Sequence, residues 1–363
     1  MDIDTICRAA VALGASDIHL KANLPPLVRV NGDILPIPKA PRMPAELLGK
    51  MAWDVMSPVQ RELFKESNDL DMAYQVNDLG RFRVNAFRQR GVIGMVLRLI
   101  PSDVKTLDEL MLPRTLKRVA GAQRGLVLLT GATGSGKSTT LAALIEEINR
   151  TRQSHILTIE DPIEFTFRDK RSVINQREVG TDTKSFLSAL RSALRQDPDV
   201  ILVGELRDKD TMEIALSAAE TGHLVLATLH TINATEALER IVGFFEPHHQ
   251  AQIRNVLSGV LVSIISQRLV PKKGGGRVAA IEVLYNQGAI TECITDGFRT
   301  KEIPDLIRKG VSQYGTQTFD QSLFWSYQKG LIELDEMMRY SSNPDDLQLR
   351  MNGIADEDWV EPT

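Results

Sequence analysis

The sequence has 363 residues, a net charge of −4 and a hydrophobic fraction of 43%, which is typical of a globular protein with two or three domains. The negative net charge argues against general nucleic-acid binding through an overall basic surface. Two cysteines, Cys7 and Cys293, exclude a four-thiolate zinc site and favour a reducing compartment. Because Asp2 and Asp4 replace a basic segment at the N-terminus, no signal peptide is expected. The most apolar run, 256–266, is too short to cross a bilayer.

The first 100 residues predict a small α+β domain. Apolar spacing predicts a helix over 3–13, and alternation predicts a strand over 16–20. A hairpin is predicted around Asn31-Gly32, a helix over 44–66, and a return to strands over 69–100. The apolar residues of the second helix that are expected to face a core are Leu47, Leu48, Met51, Met56 and Leu63.

The rest of the chain predicts a parallel α/β domain after a linker at 101–113, which prolines flank. Continuous apolar runs, suited to strands buried on both faces, occur at 126–130, 156–160, 200–203 and 224–229. A long amphipathic helix is predicted over 247–268 and a strand over 278–284, with mostly helical structure beyond. The acidic tail 351–363 is predicted to be disordered.

A phosphate-binding loop of the G-x-x-x-x-G-K-S type spans 131–138, after an apolar strand and before a helical segment. Its glycines allow backbone N–H groups to turn toward phosphate oxygens, and the helix N-terminus adds positive charge. Lys137 is expected to reach the β- and γ-phosphates, and Ser138 to bind Mg²⁺. The chain is therefore expected to bind a nucleoside triphosphate. The predicted binding residues are Gly131, Thr133, Gly134, Ser135, Gly136, Lys137, Ser138 and Thr139.

Polar side chains follow three of the predicted strands. Glu205 is a candidate general base or holder of the attacking water. Glu160 and Glu164 close the preceding strand and are candidates for contacts to water or to the ligands of a metal. Carboxyl ends of parallel strands meet at one edge, so these acids are expected to face the same crevice as Lys137. His230 is expected to donate a hydrogen bond to the γ-phosphate or to Glu205, although a lone histidine at a strand end is more often structural.

Arginines repeat along 80–100, and a spacing of two puts Arg81 and Arg83 on one face of a predicted strand. One interpretation is a solvated basic face. The other is a set of arginine fingers, including Arg98, that stabilise the phosphates bound by a neighbouring subunit.

The chain carries four blocks in this order: GATGSGKS, TIEDPIE, LVGELRD and GHLVLATLHT. They resemble the Walker A motif, Asp box, atypical Walker B motif and His box of the secretion-superfamily ATPases. Length and layout are similar to the type IV pilus retraction branch (PilT/PilU-like). The resemblance implies an α/β protein with a PAS-like α+β domain over 1–100, the linker 101–113, and a RecA-like P-loop ATPase domain with C-terminal helices over 114–350.

The resemblance also implies an activity and partners. A member of this family is a cytoplasmic ATP hydrolase that forms a homohexamer, binds ATP and Mg²⁺ between its two domains, and is peripheral to the inner membrane at its cytoplasmic face. It works with a membrane platform protein to retract the pilus, without nucleic acid. By motif, Glu205 is the catalytic glutamate, Glu164 lies in the Asp box and His230 in the His box, while Arg81, Arg83 and Arg98 are the arginines of the N-terminal domain.

One stretch departs from the family. Retraction motors carry a C-terminal motif with two arginines, and the matching stretch 289–296 has Thr291 and Thr295 at those positions. This favours a PilU-like accessory motor that depends on a paralogous retraction ATPase. Alternatives are a pilus extension or type II secretion ATPase, whose longer N-terminal region and four-cysteine zinc site are missing here, and a nucleotide-gated structural partner of another motor. A DNA-translocating motor is a more distant alternative.

Overall fold

The structure is a computed structural model that describes residues 1–351. From residue 352 onward, the predicted acidic tail lies outside the described residues. The chain divides into two compact units: Met1–Asp103 with Glu164–Thr166, and Val104–Ile163 with the chain from Phe167 onward. Within the described part, no helix combines the length and apolar character that a bilayer span requires.

The first unit is built on a six-stranded antiparallel sheet with the strand order β3-β2-β1-β6-β5-β4. Its elements in chain order are α1 (Ile3–Ala12), β1 (Asp17–Leu20), β2 (Leu27–Val30), β3 (Asp33–Pro36), α2 (Ala45–Val55), α3 (Pro58–Ser67), β4 (Asp69–Val76), β5 (Gly80–Gln89) and β6 (Val92–Ile100). The predicted first helix, the strand at 16–20, the hairpin at Asn31-Gly32 and the strands of 69–100 are confirmed.

The single helix predicted over 44–66 is wrong, because α2 and α3 are separate helices. Ser57 starts α3: its hydroxyl accepts the Gln60 N–H, and the Gln60 side chain accepts the Ser57 N–H, at 3.3 and 2.9 Å. Pro58 at the first helical position cannot continue α2, since it has no N–H to donate. Leu63, which follows the break, is exposed and not in the core, and so is Leu47, which lies beside the buried face of α2 formed by Leu48, Met51 and Ala52. The other three apolar residues predicted for the core, Leu48, Met51 and Met56, are buried.

The second unit is built on a seven-stranded sheet with the order β13-β12-β7-β11-β10-β8-β9, in which all neighbours are parallel except β12 and β13. Its elements up to the edge hairpin are α4 (Thr115–Ala120), β7 (Gly125–Thr130), α5 (Lys137–Thr151), β8 (His155–Glu160), β9 (Val173–Glu178), α6 (Phe186–Ala193), β10 (Val200–Val203), α7 (Lys209–Glu220), β11 (Leu224–Leu229), α8 (Ala234–Gly243), α9 (Pro247–Val260), β12 (Leu261–Pro271) and β13 (Arg277–Tyr285). A 3-10 turn at Thr300–Glu302 and the helices α10 (Ala289–Thr295), α11 (Ile303–Lys309), α12 (Val311–Tyr314), α13 (Phe319–Gln328), α14 (Leu334–Tyr340) and α15 (Pro344–Met351) complete it.

Alternate residues of β7 belong to two different apolar clusters. Leu126 and Leu128 pack in one cluster with residues of α6, α7 and α8. Val127 and Leu129 pack in another with residues of α4 and α5. The sheet is therefore covered on both faces, which is why its strands are nearly continuous apolar runs. The strands predicted at 126–130, 156–160, 200–203 and 224–229 are confirmed. The edge strand β9 has a mixed burial pattern and was not predicted.

The long helix predicted over 247–268 is wrong beyond Val260, where α9 ends and β12 begins. The apolar residues of 260–265 are nearly continuous, so their spacing suits a buried strand as well as a helix. The tertiary context decides, since β7 and β13 offer hydrogen-bonding partners on both sides of β12. Ser263 can be buried in this strand because its hydroxyl donates a hydrogen bond to the Leu284 carbonyl at 2.7 Å.

Candidate functional site

The phosphate-binding loop leaves β7 and enters α5 at Lys137, as the sequence predicts. Gly131, Gly134 and Gly136 adopt positive φ angles of 143°, 78° and 90°. A Cβ at Gly131 would lie 2.5 Å from the Gln267 carbonyl oxygen, and one at Gly136 would lie 2.6 Å from Gln267 Nε2. Gly134 faces open space and is required only by its backbone conformation. The loop is thus shaped by close contact with β12.

Lys137 is buried with its ammonium inside the loop. Nζ donates to the carbonyl oxygens of Gly131 and Ala132, at 2.6 and 3.0 Å. Among the described residues, the buried hydroxyl of Ser135 has no hydrogen-bond partner. A cation, an unpaired hydroxyl and a helix N-terminus in one glycine-shaped loop suit a phosphate group. Of the other predicted binding residues, Ser138 and Thr139 are half-buried and Thr133 is exposed.

Gln267 is a residue of this site that the sequence analysis missed. Its Oε1 accepts a hydrogen bond from the buried Thr140 hydroxyl of α5 at 2.7 Å. It also lies against Gly131 and Gly136. The sequence gives little signal for Gln267, because it stands between the polar Ser266 and Arg268 at the end of the segment predicted as a helix. Gln267 therefore joins β12 to the phosphate loop and to the first turns of α5.

Glu205 follows β10 and lies at the centre of a hydrogen-bonded group. Its Oε2 accepts from Arg207 Nε at 2.8 Å, and its Oε1 lies 3.3 Å from His230 Nε2. His230 follows the neighbouring strand β11, so the adjacent strand ends bring the two residues together as expected. Burial raises the pKa of Glu205, but the hydrogen bond and charge of Arg207 and the proximity of His230 outweigh it and hold the pKa below its usual range.

Gly204 is the residue between the end of β10 and Glu205, and its position leaves no room for a larger side chain. Its N–H donates to the Ile159 carbonyl of β8 at 2.8 Å, and a Cβ here would lie 3.2 Å from that oxygen. The Gly204 carbonyl also accepts the Thr228 hydroxyl of β11 at 2.5 Å. The chain is thus held tightly between both neighbouring strands, and the first carboxylate it can present is Glu205.

The two acidic candidates that close β8 differ in their surroundings. Glu160 is half-buried, and its Oε1 accepts from the Thr158 hydroxyl at 2.6 Å and from the Gln176 amide at 3.2 Å. Glu164 is exposed and belongs to the first compact unit, whereas Glu160 belongs to the second.

Two of the predicted arginines of the first unit, Arg98 and Arg83, contact carboxylates of their own sheet. Arg98 Nε lies 2.7 Å from Asp17 Oδ1, and Arg83 Nε lies 3.7 Å from Asp71 Oδ1. Burial raises the pKa of Asp17, but the hydrogen bonds from Ser16 and Arg98 together outweigh burial, and the pKa lies below its usual range. Arg81 and Arg83 flank the buried Phe82 on β5, so they share the other face of that strand as predicted.

Thr291 and Thr295 lie on α10 with both hydroxyls used locally. Thr291 donates to Asn286 Oδ1 at 2.9 Å, and Thr295 donates to the Thr291 carbonyl at 3.0 Å. The helix therefore presents short neutral side chains at these two positions.

Within residues 1–351, no group of three or more histidine, cysteine, aspartate or glutamate side chains is arranged to hold a metal ion. Mg²⁺ in nucleotide-binding proteins usually takes few ligands from the protein, such as one hydroxyl, and most of its ligands from phosphates and waters. Ser138, the first residue after Lys137, supplies a hydroxyl of that kind.

Comparison with known proteins gives a consistent result. The family described as type II/IV secretion system protein matches residues 1–309. The "type IV pilus retractation ATPase PilT" of Pseudomonas aeruginosa is 46% identical over 345 residues, covering 95% of this chain and 99% of that protein. The type IV pilus ATPase PilU of the same organism is 43% identical over 359 residues, covering 99% and 93%. A crystal structure of the pilus retraction motor PilT with bound ADP matches with a TM-score of 0.88 and 47% identity, covering 96% of this chain and 99% of that one.

We expect Gln267→Leu to weaken ADP binding roughly tenfold, because without the bond to Thr140 the loop of the free protein can leave its binding conformation, and restoring that conformation then costs about 1.4 kcal/mol of the binding free energy. Isothermal titration calorimetry measures the affinity. Ser263→Ala is the matched control, because it removes a buried hydrogen bond from the same strand at a position paired with Val127, before the loop. Equal losses in both variants would show that the sheet is weakened generally and that Gln267 does not support the loop.

Proposed function

The chain belongs to the type II/IV secretion system protein family, and we propose that it is an ATP hydrolase that powers type IV pilus retraction. The observation that carries the proposal is the contact of Glu205 with His230 in the unit that holds the glycine-shaped phosphate loop. This places a carboxylate and a hydrogen-bond donor at neighbouring strand ends, where a P-loop hydrolase needs them. The direction of work is inferred from the PilT and PilU relatives, which align over nearly the whole chain.

The hydrolytic step uses the phosphate loop, Glu205 and His230. The loop N–H groups and Lys137 bind the phosphates, and Ser138 would hold Mg²⁺, whose charge stabilises the transferring phosphoryl group. Glu205 orients the attacking water by accepting its hydrogen bond. Because Arg207 keeps the pKa of Glu205 low, this carboxylate is a weak base, and orientation is a more effective role for it than early proton removal. His230 donates to Glu205 or to the γ-phosphate and so responds to the nucleotide.

The finer architecture is proposed from the family resemblance. Residues 1–100 form a PAS-like domain, 101–113 a linker, and 114–350 a RecA-like ATPase domain with C-terminal helices. Six copies assemble into a ring at the cytoplasmic face of the inner membrane, against a pilus platform protein. In this ring Arg81 and Arg83 stabilise the phosphates bound by a neighbouring subunit, while Glu160 and Glu164 contact water near the metal. The ion pair of Arg98 with Asp17 favours a structural role for that arginine.

We further propose that the protein is an accessory motor of the PilU type. The support is the neutral surface at Thr291 and Thr295, where independent retraction motors carry two arginines. Transmission of force would then require a hexamer of a paralogous retraction ATPase.

The function is tested by deleting the gene and imaging labelled pili. Retraction should slow or weaken, and the wild-type gene should restore it. Glu205→Gln should still bind ATP but hydrolyse it at least roughly a hundredfold more slowly, as expected when an oriented group is lost from the transition state, and it should fail to restore retraction. Glu239→Gln, an exposed charge on α8, is the control that should restore it. Loss of pilus extension in the deletion strain would contradict the proposal, as would normal turnover by Glu205→Gln.

The arginines are tested by mixing two inactive proteins. Arg81→Ala/Arg83→Ala protein and Glu205→Gln protein should each have low ATPase activity. Their mixture should exceed both, because some interfaces then pair intact arginines with an intact Glu205. Arg90→Ala, an exposed arginine at the end of the same hairpin, should be active alone. A mixture with confirmed subunit exchange that never exceeds its parents would refute action between subunits.

The role of Arg207 predicts a pH effect. Arg207 lowers the pKa of Glu205, so Arg207→Ala should raise it, and more Glu205 should be protonated as the pH falls. The acidic limb of the kcat/KM profile should therefore move to higher pH, with Arg207→Lys between the two. Because Arg207 is exposed, the shift should shrink at high salt. An unchanged acidic limb in Arg207→Ala would mean that Glu205 does not control it.

A further inference from the structure

Glu282 on β13 makes a contact that the mechanism above does not use. Its Oε1 accepts the backbone N–H of Ala234 at 2.8 Å, across 48 positions of the chain. The same oxygen accepts the Ser266 hydroxyl at 3.2 Å, from the residue paired with Glu282 on β12. Ala234 is the first residue of α8, and a carboxylate at a helix N-terminus meets both an unpaired N–H and the positive end of the helix dipole.

The segment held in this way connects His230 to α8. Two other side-chain hydrogen bonds shape it: the Ile232 N–H donates to Glu236 Oε2 at 3.0 Å, and the Glu236 N–H donates to Asn233 Oδ1 at 2.8 Å. Both are local contacts that fix the conformation of the turn. The bond from Ala234 to Glu282 instead fixes where the turn lies against the sheet.

The strand between Glu282 and the phosphate loop links the two halves of the site. Ser266 of β12 pairs with Glu282 on one side and with Thr130, the last residue of β7, on the other. The next residue, Gln267, contacts the phosphate loop and Thr140. We call residues 231–233, between His230 and α8, the His230 turn. Ser266 is thus linked to this turn through Glu282, and the next residue, Gln267, contacts the phosphate loop.

The net pKa of Glu282 is raised, because burial outweighs the groups that stabilise its charge. Burial raises the pKa of Glu282, while the Ala234 N–H, the Ser266 hydroxyl and the charge of Arg268 oppose that rise and Asp320 adds to it. Arg268 itself is held by the Tyr340 carbonyl at 2.7 Å and by the Phe319 ring at 3.9 Å. Glu282 is therefore set among fixed partners on β12, α8 and the C-terminal helices.

We propose that Glu282 is a positioning residue for ATP hydrolysis, which holds the His230 turn so that His230 stays in contact with Glu205. The inference rests on the proposed function, because it assigns Glu282 an effect only through His230. It concerns turnover and not nucleotide affinity, since the phosphate loop is held by Gln267 on the other face of β12.

The test is a double-mutant cycle on the full-length protein. Glu282→Ala should lower kcat roughly tenfold with little change in KM for ATP, as expected for a group that acts on the transition state through its neighbour. Glu282→Gln keeps an oxygen acceptor for Ala234 and should retain most of the activity. In a His230→Ala background, Glu282→Ala should cause little further loss, because the two residues act in series. Glu239→Ala on α8 is the control for removal of an acidic side chain.

The outcomes are distinguishable. If His230→Ala turns over normally, the role of His230 in the proposed function fails. If His230→Ala is impaired while Glu282→Ala is not, the positioning role of Glu282 fails alone. Full additivity of the two substitutions, or a Glu282→Gln variant as slow as Glu282→Ala, would also overturn it. Circular dichroism and ADP affinity identify a variant that is merely misfolded, and Glu282→Gln then decides the question.

Discussion

The close approach of β12 to the phosphate loop is the constraint on which the rest of the site depends. The Gln267 carbonyl leaves no room for a side chain at Gly131, and its amide leaves none at Gly136. Gly131 is therefore required by packing against backbone as well as by its positive φ angle, whereas Gly136 meets the end of the Gln267 side chain and is required mainly by its φ angle. The same packing sets Lys137 at the start of α5 with its ammonium turned into the loop. The shape of the loop is thus set by its contact with β12 together with its own hydrogen bonds, from Lys137 Nζ to the Gly131 and Ala132 carbonyls.

The sheet edge that carries Glu205 is held both by its backbone and by its side chains. The sheet fixes the backbone, since Gly204 is hydrogen-bonded to both neighbouring strands. The position of the next residue, Glu205, is thereby fixed at the end of β10. The charge is set by side chains, since Arg207 and His230 meet opposite oxygens of Glu205. This arrangement keeps the carboxylate ionised and fixed in direction, which favours the holding of a water molecule over the uptake of a proton.

Local patterns in the sequence were sufficient for much of this site. The phosphate loop is contiguous, and Glu205 and His230 stand at the ends of continuous apolar strands, so the parallel sheet alone predicts their meeting. Gln267 and Glu282 were not predictable in this way. Their partners lie 127 and 48 positions away, and the apolar residues that precede Gln267 have a spacing that suits a helix as well as a strand. The helix break at Ser57 was missed although its capping box is visible, because the apolar spacing was given more weight.

The placement of β12 has a mechanical consequence. Its first half is bonded in parallel to β7, and its second half carries Val270 into an apolar cluster with Phe319, Leu323 and other C-terminal residues. A pull on the C-terminal helices along this strand would load the ladder of β12 and β7 in shear, so that its hydrogen bonds share the force and do not open one at a time. The strand that shapes the phosphate loop would thus also carry load between the C-terminal helices and the centre of the sheet.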